Sequence, residues 1–226
     1  MTSPLHEPEL FRVGPLSISG SLLTSFGLTI VLLTIALVIK SRLREEPGPV
    51  QAFCEVIVTT IQEQIEQVTH SDGKPYLPII ATLFIFLLSA NSLSLFPGLV
   101  PPTERIETVA ALSITVLCSV YFYGMKRHGI VGYLKHFFQP TPFLFPIHIL
   151  SEITRTFSLS MRLFGNIMSH GLILAVIVSV AGLFLPIPVI LFGLFTGAVQ
   201  AYIFTILATV YIAAAVEEHP QRGQKA

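Results

Sequence analysis

From Leu163 to Val216 the chain carries not one Asp, Glu, Lys or Arg, and the residue just before that run is Arg162. An uncharged stretch of that length has to cross hydrocarbon, at about 20 helical residues per pass. Arg162 falls inside the same helical pattern. A charge at bilayer depth costs at least ~2.5–3.5 kcal/mol on insertion scales. A chain that keeps one there either neutralises it or uses it. Composition agrees with the membrane reading: 52% of the 226 residues are hydrophobic and 12% are charged. Mean hydropathy is +0.75, whereas a soluble domain carries roughly 25% charged residues. Net charge is zero, which removes any electrostatic case for nucleic acid.

Read in order, the chain is one all-α polytopic membrane domain over residues 1–226, with five spanning helices and one amphipathic surface helix. Residues 1–17 are a short external tail with Pro4, Pro8 and Pro15. They lack the basic start and short apolar core of a cleavable leader. Residues 18–39 form the first span, closed by Lys40, Arg42 and Arg44. Positive residues mark a cytoplasmic end, so the N-terminus is expected outside. Residues 50–69 set Phe53, Val56, Ile57, Ile61, Ile65 and Val68 on one face and Glu55, Gln62, Glu63 and Glu66 on the other. That pattern predicts a helix lying on the cytoplasmic surface.

Residues 76–96 form the second span, with Asn91 inside it as an interhelical bonding group. The external segment that follows holds Glu104, Arg105 and Glu107. Residues 108–125 form the third span, and Lys126, Arg127 and Lys135 behind it mark a second cytoplasmic end. Residues 147–182 read as one helix without proline, too long to cross the bilayer upright, so it tilts or bends. Leu185-Pro186-Ile187-Pro188 reads as a turn, and residues 189–216 as the last span, also long and tilted. Residues 217–226 return to the cytoplasm. Cys54 and Cys118 fall in an amphipathic and an apolar stretch, with no partner spacing for a disulfide or a metal; neither a metal nor a cofactor is expected.

Residues three or four apart share a helix face. Steps of that size link Glu152, Arg155, Ser158, Arg162, Asn166 and His170 into a polar stripe on the fourth spanning helix. Such a stripe faces protein or water, not lipid. The last helix answers with Gln200 among small residues (Gly193, Gly197, Ala198), which allow close approach. The simplest pairing sets Gln200 near Arg162, though their distances from the Leu185–Pro188 turn differ by about three helical turns and require unequal tilt. Arg155 is expected to pair with Glu152. His170 is a protonatable relay group or a satisfied polar residue. Glu218 and His219 are a solvated helix end or the mouth of an ion path.

The segment FSLSMRLFGNIMSHGLI (Phe157–Ile173) resembles the signature helix of subunit a of F-type ATP synthases, through Ser158, Leu159, Arg162, Leu163, Phe164 and Asn166. AVQAYIFTILATVYIAAAVEEH (Ala198–His219) is similar to that family's last helix, through Gln200, Ala201, Ile203 and Phe204. Pro78–Gly98 resembles its Asn-bearing span. The resemblance covers most of residues 50–219. It implies an ion-translocating, non-catalytic stator subunit of an H⁺- or Na⁺-transporting ATPase in a bacterial inner membrane. Its implied partners are the c-subunit ring, the b-subunit peripheral stalk, the rest of the F1Fo complex and membrane lipid. Arg162 would face the ring's essential carboxylate, between two half-channels drawing on Glu152, Ser158, Asn166, His170, Gln200, Glu218 and His219. This chain departs from the family pattern at Gly171, where an acid is common, at Gly193, where a His or Glu is common, and at His148, with Glu152 four residues on. The competing reading is a stand-alone channel or secondary transporter binding an anion at Arg162. It would need repeated halves or broken helices, and the sequence has neither. A haem-bearing anchor would need paired intramembrane histidines, and only His170 is well placed.

Overall fold

The computed structural model describes residues 11–13, 16–18, 20–41, 48–95, 101–129, 145–181 and 186–217. The described residues form six α-helices: α1 (Gly20–Ser41), α2 (Pro49–Thr69), α3 (Leu77–Ser92), α4 (Ile106–His128), α5 (Phe145–Ala181) and α6 (Pro186–Glu217). Five of them, all but α2, are long and apolar enough to cross a membrane. The protein is an all-α polytopic membrane protein. Before α1 a short antiparallel ribbon pairs β1 (Phe11–Val13) with β2 (Leu16–Ile18), Phe11 opposite Ile18. The sequence reads as a short polar, proline-rich tail there, without strands.

Helix α6 is the hub and packs against α2, α3, α4 and α5. Its buried face runs through Gln200, Ala201, Phe204, Ala208 and Ile212. Small residues at that spacing bring neighbouring backbones close. Leu83 and Leu87 of α3, Val109 and Val116 of α4, and Leu159 and Leu163 of α5 complete the core. Helix α1 lies at the edge, touching α3 and the turn at Pro102–Glu104, with none of its spanning residues buried.

The turn between α2 and α3 is set by backbone chemistry. Helix α2 ends at His70, whose φ of 47° lies in the left-handed region, and its N–H still donates to the Glu66 carbonyl at 2.9 Å. Gly73 sits so close to Ile65 and Glu66 that a Cβ would lie 3.1 Å from their side chains. Tyr123, near the end of α4, donates its hydroxyl to the Pro75 carbonyl at 2.9 Å and meets the Tyr76 ring edge-on at 4.9 Å. That contact ties the end of α4 to the start of α3.

The stripe expected on α2 divides. Ile61 and Ile65 are buried against the bundle, while Phe53 and Val56 near the other end are exposed. The last helix also starts earlier than the sequence reading has it. Pro186 and Pro188 lie in the first turn of α6 rather than in a loop. A helix's first N–H groups have no intrahelical partner, so proline costs nothing there.

Candidate functional site: the polar face of α5 and the cavity beside it

Helix geometry decides where each polar residue of α5 goes. At 3.6 residues per turn, a step of three falls about 60° short of a full turn and a step of four overshoots by about 40°. From Glu152 two steps of three lead through Arg155 to Ser158, and three steps of four lead through Arg162 and Asn166 to His170. The stripe therefore swings about 120° out and about 120° back. The exposure pattern follows this swing. Ser158 and Arg162 are exposed, while Glu152, Arg155, Asn166 and His170 are half-buried against the bundle.

Arg162 thus sits on the outer surface of α5, on one face with Ser158, Ser169, Ile173 and Val176, all exposed. Among the described residues no carboxylate or carbonyl bonds its guanidinium. Its sequence neighbour Leu163 is fully buried, so the backbone beneath the charge is anchored in the core.

Asn166 and His170 turn inward, onto a cavity of about 530 Å³ between α3, α5, α6 and the turn before α4. The imidazole of His170 occupies the place where a side chain at Gly193 would begin. Glycine is required at 193 for that reason. A Cβ at Gly171 would lie 2.7 Å from Oε1 of Glu104, whose carboxylate fills the corresponding space on the other side. Asn91, Ser94, Asn166, Ser169 and Thr196 also line the cavity.

A buried clamp holds the walls together. Asn91 Nδ2 donates to the Gly197 carbonyl at 2.8 Å, and Thr103 Oγ1 donates to Asn91 Oδ1 at 2.9 Å. Asn91 is 4% exposed and Thr103 is 0% exposed. One amide thus binds α3 to α6 and to the 3-10 turn Pro102–Glu104. Gly197 allows the approach: a Cβ there would stand 3.0 Å from that of Asn91.

Gln200 is buried, with no partner for its Nε2 among the described residues. An unsatisfied buried donor costs ~1–3 kcal/mol. Since His170 meets Gly193, seven residues back along α5 and seven forward along α6 bring Leu163 level with Gln200. The His170–Gly193 contact, and not the distances from the turn, sets this register, and it leaves no three-turn mismatch. Arg162 and Gln200 thus share a level, yet Arg162 faces outward and Gln200 inward, and no bond between them is present among the described residues.

At the far end of the stripe Arg155 Nη1 lies 3.3 Å from Glu152 Oε1, and its guanidinium carbon stands 4.5 Å over the Tyr211 ring. This is the ion pair expected from the sequence, with a stacking partner on α6 that the spacing could not show. Glu218 and His219 lie outside the described residues. The candidate residues therefore occupy separate places: an outward arginine, an inward cavity, a buried amide and an ion pair. Glu104 lines the cavity and Thr103 braces its wall, yet in sequence their segment reads only as a charged loop. The one sequence clue was the pair of glycines, Gly171 and Gly193, among polar residues.

Comparison with known proteins identifies the family. The family model described as "ATP synthase A chain" matches residues 22–213. The protein named ATP synthase subunit a 2 of Bradyrhizobium sp. is 46% identical over 215 residues, covering 95% of this chain and 96% of the relative. Subunit a 1 of Hahella chejuensis is 38% identical over 218 residues, covering 96% and 93%. Subunit a of Moorella thermoacetica is 36% identical over 211 residues, covering 93% and 97%. With most of its length matched by the family model and by full-length relatives, the chain belongs to the ATP synthase A chain family, subunit a of the F-type ATP synthases.

Proposed function

We propose that the chain is the ion-translocating stator of the membrane sector, working against a ring of c subunits and coupling H⁺ or Na⁺ flow to rotation and to ATP synthesis or hydrolysis. The observation that carries this reading is the position of Arg162: outward on an apolar helix face, with no partner among the described residues. A fixed cation there suits a carboxylate that arrives and leaves on another subunit. Arginine stays protonated at any working pH, so it acts as a permanent charge and not as an ion carrier. It would draw the ring's ionised carboxylate, drive off its ion, and block direct leak between two half-channels.

One half-channel would run through the cavity at Asn166 and His170. The other would open at the Glu152 end of α5. Gln200, level with Arg162 but buried on the inner side, would bond water within the bundle. The chain would sit in a bacterial inner membrane with its N-terminus outside and its C-terminus in the cytoplasm. The b-subunit stalk would hold it against rotation within the F1Fo complex, with α2 lying on the cytoplasmic surface.

The test is chemical capture in the assembled complex. With Cys54 and Cys118 replaced by serine, Ser169→Cys or Ile173→Cys, bearing a photoactivatable maleimide, is expected to cross-link to subunit c. Ile30→Cys, on the exposed face of α1, is the control. Failure of both α5 positions to capture subunit c, in complexes that contain it, would refute the proposed docking face.

A further inference from the structure

The cavity beside α5 has a feature that the helices alone do not supply. Among the described residues that line it, the one carboxylate comes from a turn. Glu104 ends the 3-10 turn Pro102–Glu104 and reaches across to α5, with Oε1 2.7 Å from where a Cβ at Gly171 would be. Glycine at 171 makes that approach possible. Directly beside it in sequence, His170 fills the space left by Gly193 on α6. Two glycines on facing helices thus admit one carboxylate and one imidazole into a single cavity of about 530 Å³.

We propose that Glu104 is the ion-accepting carboxylate of this cavity: it takes up the translocated cation and passes it on past His170 and Asn166 toward Arg162. This deepens the proposed function and rests on it. A carboxylate carried on a turn is useful only if the turn is fixed. The residue before it, Thr103, is fully buried and donates to Asn91, which in turn donates to the Gly197 carbonyl. Asn91 is therefore the positioning residue for Glu104. The chemistry suits either ion. A carboxylate beside an imidazole can pass a proton, and the same carboxylate with the amide oxygen of Asn166 and the hydroxyl of Thr196 offers the hard oxygen ligands a cation takes.

The experiment uses the whole complex in inverted membrane vesicles, with ATP-driven uptake followed by a pH-sensitive dye and, separately, by radioactive sodium. Whichever signal the wild type gives identifies the ion. Glu104→Gln, of equal size, is expected to lower uptake at least tenfold with subunit a still in the complex, while Glu104→Asp keeps most of it. The decisive variant moves the carboxylate: Glu104→Ala combined with Gly171→Glu is expected to bring uptake back to within about threefold of wild type. A purely structural role for Glu104 would not be rescued in this way. If Glu104→Gln pumps like wild type while Arg162→Ala does not, this inference falls and the proposed function stands. If Arg162→Ala also pumps like wild type, the underlying reading fails instead. Loss of uptake without rescue by the relocated carboxylate, or failure of both Glu104→Gln and Glu104→Asp to enter the complex, makes Glu104 a folding element and overturns the proposal.

Discussion

Asn91 is the polar group on which the bundle depends most, and its replacement by alanine has a cost that follows from its bonds. The variant loses the donation to Gly197, a net ~0.5–1.5 kcal/mol. It also strands the Thr103 hydroxyl, which is fully buried, for ~1–3 kcal/mol more. Gly197 adds nothing further, because its carbonyl keeps its place in the α6 ladder. The sum is about 2–4 kcal/mol, a large share of a domain's total stability. The stranded hydroxyl makes a sharper forecast. Adding Thr103→Val to Asn91→Ala removes the orphaned donor, so the double variant is expected to be more stable than Asn91→Ala alone by about 1 kcal/mol or more. Denaturant titration of the purified subunit in mixed micelles, read by far-UV circular dichroism, measures all three variants. A loss below ~0.5 kcal/mol for Asn91→Ala, the range of ordinary surface changes, would refute the clamp. So would strict additivity of the two substitutions.

Two smaller changes test other contacts. Gly193→Ala places a methyl where the His170 ring lies, so the ring must leave its position, at the ~1–3 kcal/mol typical of overpacking; a drop in ATP-driven uptake is expected, and unchanged uptake with a wild-type thermal midpoint would show that the two helices do not meet there. Arg155→Ala removes a partly exposed ion pair and the stacking on Tyr211. Such contacts are worth ~1–2 kcal/mol together, so the thermal midpoint is expected to fall slightly while pumping survives, and abolished pumping in an assembled complex would mean Arg155 has a direct role.

The helices were legible because their causes are local. Uncharged runs set the spans, and the period of Ile57, Ile61 and Ile65 set the amphipathic α2. Helix starts were less legible. Pro186 and Pro188 read as a loop, yet both are harmless in a first helical turn; the register of Gln200 against Leu163 comes from the His170–Gly193 contact. The stripe on α5 was found by spacing, but spacing in threes and fours does not itself say that the middle of the stripe faces out and its ends face in. That follows only once the buried face, through Leu159 and Leu163, is known. Glu104 lay beyond any reading of periodicity. Its place depends on a bond between Thr103 and Asn91, twelve residues apart in sequence, and on glycine at 171, which shows only as a missing side chain. Asn91 was legible as an interhelical residue, but its partner Gly197, across 106 residues, was not.

The central claim is that Arg162 is a working charge and not a structural one. It is tested by Arg162→Ala in inverted vesicles, with ATP-driven ion uptake measured beside the amount of subunit a in the purified complex. Leu163 and Leu159 hold the helix from its buried side, and the arginine bonds no described residue, so assembly is expected to be unchanged. Uptake is expected to fall to background. Uptake at the wild-type level from a fully assembled Arg162→Ala complex would contradict the account.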